Sequence, residues 1–418
     1  MFRKSMSLFA LLLSALQANA DNWPAWRGAD GQGVCKEKNL PLKWSASENV
    51  AWKVPLPDQG NSTPVIWGDR IFLTQATEKG TKRSTICVNK KDGSKLWEKT
   101  VEYKEVEPTH ATNPYCSASA ATDGEIVVVS HGSAGVFCYS LDGKELWNRD
   151  LGKCHHIWGN AASPVLWKDR VFLNFGPGPR TSLIAMNKKD GKEIWKVEEP
   201  GGLVGNKGET WIGSWSTPVI ATINGREELV MTWPGAIKSH DPKTGEVFWS
   251  CKGLDRDKAG SRLVYTSPLV ANDFVVAMSG YGGPAIAAKT VGKGDVTETH
   301  RLWRHPGNPQ RIGSGVILGE HIYMMNEPGT FQCIEAKSGK ILFTERVGSG
   351  VWGNLVLIED KFYVTNLEGE TYILAAKPKF EEIARNHLKE RTLASIAASD
   401  GRLYIRTYKH LWCISNPK

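Results

Sequence analysis

The sequence predicts an all-β protein: an eight-bladed β-propeller of four-stranded antiparallel blades, closed by an N-terminal strand that completes the last blade. Three observations carry this. A short phrase ending in an aromatic residue recurs along the chain. Between recurrences the chain reads as the same run of short strands and tight turns. The last unit lacks one strand, and a matching strand stands near residue 50.

The phrase appears as "NKKDGSKLWEK" (89–99), "YSLDGKELWNR" (139–149), "NKKDGKEIWKV" (187–197), "HDPKTGEVFWS" (240–250) and "EAKSGKILFTE" (335–345). Its aromatic anchors are Trp97, Trp147, Trp195, Trp249, Trp303 and Phe343, spaced 40 to 54 residues apart. A period in this range means one supersecondary unit per repeat. Each unit opens on small residues, as in "STPVIWGDRIFLT" (62–74) and "ASPVLWKDRVFLN" (162–174), which read as strand, turn, strand. A third strand, such as "TSLIAMN" (181–187), leads to the Asp-Gly or Thr-Gly turn and the aromatic strand. Gly supplies positive φ there without steric cost, and Asp before it favours a tight hairpin. Four antiparallel strands make a propeller blade. Tryptophans at a fixed position then fill the gap where outer strands of neighbouring blades diverge, a structural role.

Blades open near Ser62, Ser117, Ala162, Ser216, Thr266, Gly313, Gly353 and Ala394. The eighth ends at Asn416 after three strands. "NVAWKVPL" (49–56) matches "EIWKVEEP" (193–200), with Trp52 in the place of Trp195. That strand is expected to close the ring, which protects the sheet faces an open stack would leave bare. The expected organisation is a signal peptide at 1–20, an N-terminal extension at 21–48, and one propeller over 49–416.

Arg3 and Lys4, the apolar run "LFALLLSAL" (8–16) and "ANA" (18–20) form the signal, with cleavage near Ala20. No other stretch approaches the ~20 apolar residues of a membrane helix. The mature chain is expected to be secreted or periplasmic, not membrane-spanning, and monomeric. The formal charge is +8 with the signal, which carries two of the positive charges. Lysines are scattered through turns, with no basic stripe for nucleic acid.

Eight cysteines in an exported chain raise the question of disulfides. Cys87, Cys138, Cys333 and Cys413 share one third-strand slot that elsewhere holds Ala185, Ser239 and Ala375, so they read as buried free thiols. Cys116 and Cys154 lie in successive long connections. A disulfide between them, or a metal site with His110, His155 and His156, stays open.

Connections between blades emerge on one face, and here they are long: 100–116, 150–160, 198–215, 251–265 and 304–312. Loops on a rigid scaffold carry function, so this face is the expected binding surface. Its candidate residues are His110, Asn113, Tyr115, His155, His156, Trp158, Trp211, Trp215, Tyr265, Asn308, Arg311, Trp352, Asn354 and Arg391. Such groups suit a planar or sugar-like ligand, or a peptide. They also suit the plainer role of locking loops onto blades. Inside lies a ring of small residues, Thr63, Ala118, Ser163, Thr217, Ser267, Ser314, Asn354 and Ser395, which reads as crowding near the axis. No catalytic constellation emerges: no "HExxH", "GxSxG", phosphate loop or Cys-x-x-Cys. "GLDRDKAG" (253–260) lacks the rest of a calcium loop. "YGGPAIAAKTVGKGD" (281–295) is Gly-rich, but it reads as a blade hairpin without a following helix.

The "DGK-x-x-W" phrases resemble the repeats of pyrroloquinoline-quinone (PQQ) type propellers, a group that includes quinoprotein alcohol dehydrogenases and BamB-like assembly proteins. "NWPAWRGADGQGV" (22–34), "GSGVILGEHIYMMNEPG", "KFEEIARN" and "RLYIRTYKHLWCI" are similar to exported PQQ-like repeat proteins. The resemblance spans about 22–416 and implies the fold more firmly than the function. Quinoprotein dehydrogenases carry a vicinal Cys pair and a calcium held by Glu, Asn and Asp. No two cysteines are adjacent here, and no cofactor follows from the residues. The expectation is a non-enzymatic binding or scaffold propeller for an envelope or extracellular protein, peptide or glycan. A PQQ- and calcium-dependent oxidoreductase is the alternative.

Overall fold

The computed structural model describes residues 22–154, 156–204, 210–256, 262–307 and 311–417. The expected signal segment, His155, Asn308 and residues 257–260 of the stretch 253–260 lie outside them. The described residues form eight four-stranded antiparallel blades around an axis. The blades span 65–102, 121–149, 165–200, 219–252, 269–305, 316–346, 356–387 and 397–415. The strand Val50–Pro55 pairs antiparallel with His410–Ser415 and supplies the outer strand of the eighth blade, as the sequence predicts.

The repeated phrase has a double physical cause. Indole Nε1 of Trp97 donates to Leu141 O at 2.9 Å in the next blade, and Trp147 does the same to Lys188 O at 2.9 Å. Trp52, Trp195 and Trp303 reach Lys90 O, Pro242 O and Ala336 O in the same way. Each ring lies on the glycine of the next blade's turn. A Cβ on Gly143 would stand 2.7 Å from the Trp97 ring, and one on Gly191 2.5 Å from Trp147. Both glycines also have positive φ, so the turn needs Gly for conformation and for room. The arrangement recurs at Gly93, Gly245 and Gly339.

The small third-strand slot follows from the same ring. Cys87 faces Trp97 across the ladder, Cys138 faces Trp147, Cys333 faces Phe343 and Cys413 faces Trp52. Ala185, Ser239 and Ala287 hold the slot opposite Trp195, Trp249 and Trp303. Blade seven corrects the sequence alignment. Ile373 faces Ala384 there, and Ala375 lies beyond the slot. With no tryptophan to accommodate, a larger residue fits. All eight cysteines are buried and none is joined in a disulfide among the described residues, and burial pushes the Cys87 and Cys138 thiols up to about 12. Cys116 and Cys154 are not joined. Cys116 Sγ sits by Gln59 O, and Cys154 by Ser133 and Asn160.

Blade four departs from the pattern. Trp249 turns its Nε1 to the buried carboxylate of Glu228 in its own blade, 3.0 Å away. The following turn is expanded: Gly294–Asp295 adds a parallel strand to Val247–Lys252, and a single helical turn Thr297–His300 follows. The sequence reading expects no helix after 281–295, but Asp295 Oδ1 accepts from both N and Oγ1 of Thr297 where this turn starts.

The axial ring of small residues is a hydrogen-bond belt. The backbone N of Thr63 donates to Ser119 Oγ, Ser119 N to Ser163 Oγ, Ser163 N to Thr217 Oγ1, and Thr217 N to Ser267 Oγ. Ser267 N donates to Ser314 Oγ, Ser314 N to Asn354 Oδ1, and Asn354 N to Ser395 Oγ. Ser119, not Ala118, holds the second place, because the link needs a side-chain acceptor. Steric crowding explains small residues, and the belt explains polar ones. At the seam between blades eight and one, Thr63 Oγ1 has no partner. Buried Arg406 joins that seam instead, donating to Ser62 Oγ, Thr74 O and Gln75 Oε1.

The extension before residue 49 is built into the ring. Trp23 exchanges two backbone hydrogen bonds with Ile66 of blade one. Pro24 O accepts from Thr122 N of blade two, and Gln32 Oε1 from Val270 N of blade five. Arg27, fully buried, donates to Gly315 O of blade six. Val34–Cys35 pairs parallel with the inner strand of blade seven. The leader therefore crosses beneath the ring from blade to blade.

Candidate functional site

Two long connections are not loops throughout. Gly202–Val204 pairs with Thr210–Ser214, and Arg262–Val264 joins the latter in parallel, making a three-stranded sheet. This sheet stiffens the chain on either side of Trp211, Trp215 and Tyr265.

Within the ring of loops lies an axial cavity of about 340 Å³, to which residues from all eight blade openings contribute. Seven of the sequence-derived candidates line it: His110, Asn113, Trp158, Trp215, Tyr265, Trp352 and Asn354. Trp26 of the leader also lines it and borders a second cavity of about 240 Å³ between residues 24–31 and the inner strands and openings of blades two to five. The leader thus floors the upper cavity, leaving a funnel that faces the loop side.

Of the other described candidates, Tyr115, His156 and Arg311 stand behind the walls, and Arg391 is exposed. Tyr115 donates its hydroxyl to Glu107 O at 2.6 Å, and its ring covers Gly80. Glu107 in turn pairs with buried Arg83 at 2.7 Å. His156 is buried against Trp158, Trp211 and Trp215, with centroids 5.3, 5.0 and 5.1 Å away. Burial lowers its pKa to about 4, so it is a neutral packing ring near neutral pH. Arg311 is buried with Nη2 on Gln332 Oε1, and burial lowers it to about 9. Arg391 lies over the Tyr408 ring at 5.8 Å. Sequence reasoning missed Trp26, Asn61, Tyr281 and Glu327. Tyr281 and Glu327 sit in the hairpins between second and third strands, and these hairpins emerge on the same face as the blade connections. The signal was available: Tyr281 interrupts a glycine run, "SGYGGP".

The lining is aromatic and nearly uncharged. Trp158 stacks with Tyr281 at 5.9 Å and 18°, and Trp215 meets Tyr265 edge-on at 5.2 Å and 69°. Glu327 Oε1 accepts from Trp352 Nε1 at 3.1 Å. Burial, then neighbouring Tyr281 and Glu327, push the Tyr265 phenol well up.

Residues 82–345 match the family described as "Outer membrane protein assembly factor BamB". The chain belongs to this BamB family. BamB of Burkholderia pseudomallei is 22% identical over 321 residues, covering 64% of this chain and 74% of that protein. The crystal structure of BamB from Moraxella catarrhalis superposes with a TM-score of 0.62 at 16% identity, covering 86% of this chain and 98% of that one. The quinohemoprotein alcohol dehydrogenase of Comamonas testosteroni gives 0.67 at 10% identity, covering 95% and 81%. At such identities the two structures share the fold with this BamB-family chain and nothing narrower.

A quinoprotein role would place PQQ, a polycarboxylate, and an oxygen-liganded calcium in the funnel. Among the described residues, the lining supplies one carboxylate, Glu327, and no lysine or arginine. No group of three metal-ligating side chains occurs among the described residues either. This donor set does not fit the quinone and its metal.

Proposed function

We propose that this protein is a non-enzymatic binding or scaffold propeller of the cell envelope, holding a partner protein against its long-loop face. The observation that carries the proposal is the funnel: residues from every blade opening converge on it, and the N-terminal extension lies beneath it. A floored cavity suits holding a ligand or a protruding side chain rather than passing one through. Family membership points the same way, since its relatives are described as outer membrane assembly factors. Among the described residues no helix is long and apolar enough to cross a membrane. The signal-like sequence at 1–20 supports export.

Site-directed photocrosslinking tests this. A crosslinking residue at position 281, on the funnel rim, is expected to capture a discrete envelope protein in living cells. One at position 192, in an Asp-Gly turn on the opposite face, is expected to capture none. Capture from 192 alone, or from neither, refutes the loop-face assignment.

A further inference from the structure

We propose that the axial funnel is an aromatic cage for an organic cation, an ammonium or guanidinium head received at the propeller mouth. This deepens the loop-face reading and rests on it. Ring faces carry negative quadrupole potential and attract cations, most of all when several rings surround one. Here Trp158, Trp215, Tyr265, Tyr281 and Trp352 form the walls and Trp26 the floor. The wall rings stand at different angles: 18° for Trp158 with Tyr281, 40° for Trp158 with Trp215, and 69° for Trp215 with Tyr265. A flat ligand needs parallel planes, whereas a compact charge is served by planes on several sides.

The polar groups agree. Glu327 is the only carboxylate on the lining, it makes no ion pair among the described residues, and Trp352 holds its Oε1 in place. No lysine or arginine opposes it there. The lining amides are spent on the protein. Asn113 Nδ2 donates to Trp158 O while its Oδ1 accepts from Ser117, and Asn354 bonds Ser314 N and Ser395 Oγ. Little remains to grip a saccharide hydroxyl in two directions. One amide oxygen is left over: Asn61 Oδ1 is buried and has no protein partner, while Nδ2 donates to Thr112 O. The one carboxylate and the ring faces are complementary to a positively charged donor, and the Tyr265 and Tyr281 hydroxyls can accept from it as well.

Tyr281 adds an independent sign. It holds φ of 55°, unusual for an aromatic residue, and stays 52% exposed while stacked on Trp158. Strained backbone of this kind persists where a side chain must be presented.

The test is titration of the mature protein by calorimetry and tryptophan fluorescence. The probes are choline, Nα-acetyl-arginine amide, the uncharged choline isostere 3,3-dimethylbutan-1-ol, and glucose. A cation is expected to bind and quench, with the isostere at least ~10-fold weaker. Glu327→Gln, which keeps shape, is expected to weaken the cation about tenfold, and Tyr281→Ala, at the exposed rim, several-fold. Preference for choline identifies a free quaternary ammonium as the occupant; preference for the arginine probe identifies a partner's side chain. Equal binding of the isostere, binding of glucose instead, or silence up to about 50 mM overturns the cage. Silence together with specific crosslinking from position 281 removes the cage and leaves partner docking standing. Cation binding without crosslinking does the reverse.

Discussion

The outer latches and the axial mouth use the same residue type for opposite ends. At the rim, Trp52, Trp97, Trp147, Trp195 and Trp303 each spend the indole N–H on the neighbouring blade and lay the ring on a glycine. At the mouth, Trp26, Trp158 and Trp352 are only half-buried and their rings line open space. A latch tryptophan gives its indole N–H to the next blade's backbone and its ring to that blade's glycine, even where, as at Trp52, Trp97 and Trp195, the ring is only partly buried. The mouth tryptophans instead line the cavity, and the indole N–H of Trp352 goes to a side chain there, Glu327. The contrast teaches that residue type does not separate the two roles, whereas the state of its neighbours does.

The sharpest way to break the comparison is to remove a latch. Trp147 is 6% exposed, opposes Cys138, covers Gly191 and donates to Lys188 O. Trp147→Ala is expected to cost about 3–5 kcal/mol, the range for truncating a buried aromatic. Urea unfolding reads this directly, and cation affinity at the funnel should be unchanged in the folded fraction. A loss below about 1 kcal/mol would show that the latch is ornamental.

This asymmetry also decides what could be read from the sequence. The latch is written once per blade, because every blade meets the same steric problem, so Trp97 or Gly143 is recognisable from its copies. The closing strand was legible for the same reason, since Trp52 repeats the environment of Trp195. The mouth has no copies. Glu327 and Tyr281 come from hairpins that carry other residues in other blades, and Trp26 comes from a leader outside the repeat. Their grouping depends on where eight different loops end in space. The belt lay between these cases. Its small residues were visible, but its second member became clear only when Ser119 N and Oγ were seen bridging to blades three and one.

A milder test uses pH to load the wall behind the mouth. His156 is neutral because burial holds its pKa near 4, against about 6.5 in the unfolded chain. The unfolded chain therefore takes up a proton first as pH falls. Stability is full above about 6.5 and declines toward 4, by up to about 3 kcal/mol for this one group. His131, lowered to about 3 by burial and by Arg83, and His240, lowered to about 4 by burial, add to the same slope. His156→Gln should flatten the dependence between pH 6.5 and 4 by its share, measured as urea midpoints. An unchanged slope would mean the mouth wall is more hydrated than its packing against Trp158, Trp211 and Trp215 indicates.

The smallest stability effect is expected at the rim of the funnel itself. Tyr281 is exposed, and its positive φ costs energy that its stacking on Trp158 only partly returns. Tyr281→Ala should move stability by no more than about 0.5 kcal/mol, as for surface positions generally. Tyr281→Gly should stabilise slightly, because glycine accepts that backbone conformation freely. Both changes remove a wall of the cage, so cation affinity should fall in each while the unfolding midpoint stays or rises. Opposite movement of stability and binding is what separates a residue kept for recognition from one kept for cohesion. If the glycine variant instead unfolds earlier, Tyr281 is a structural clamp on Trp158 and belongs with the latches.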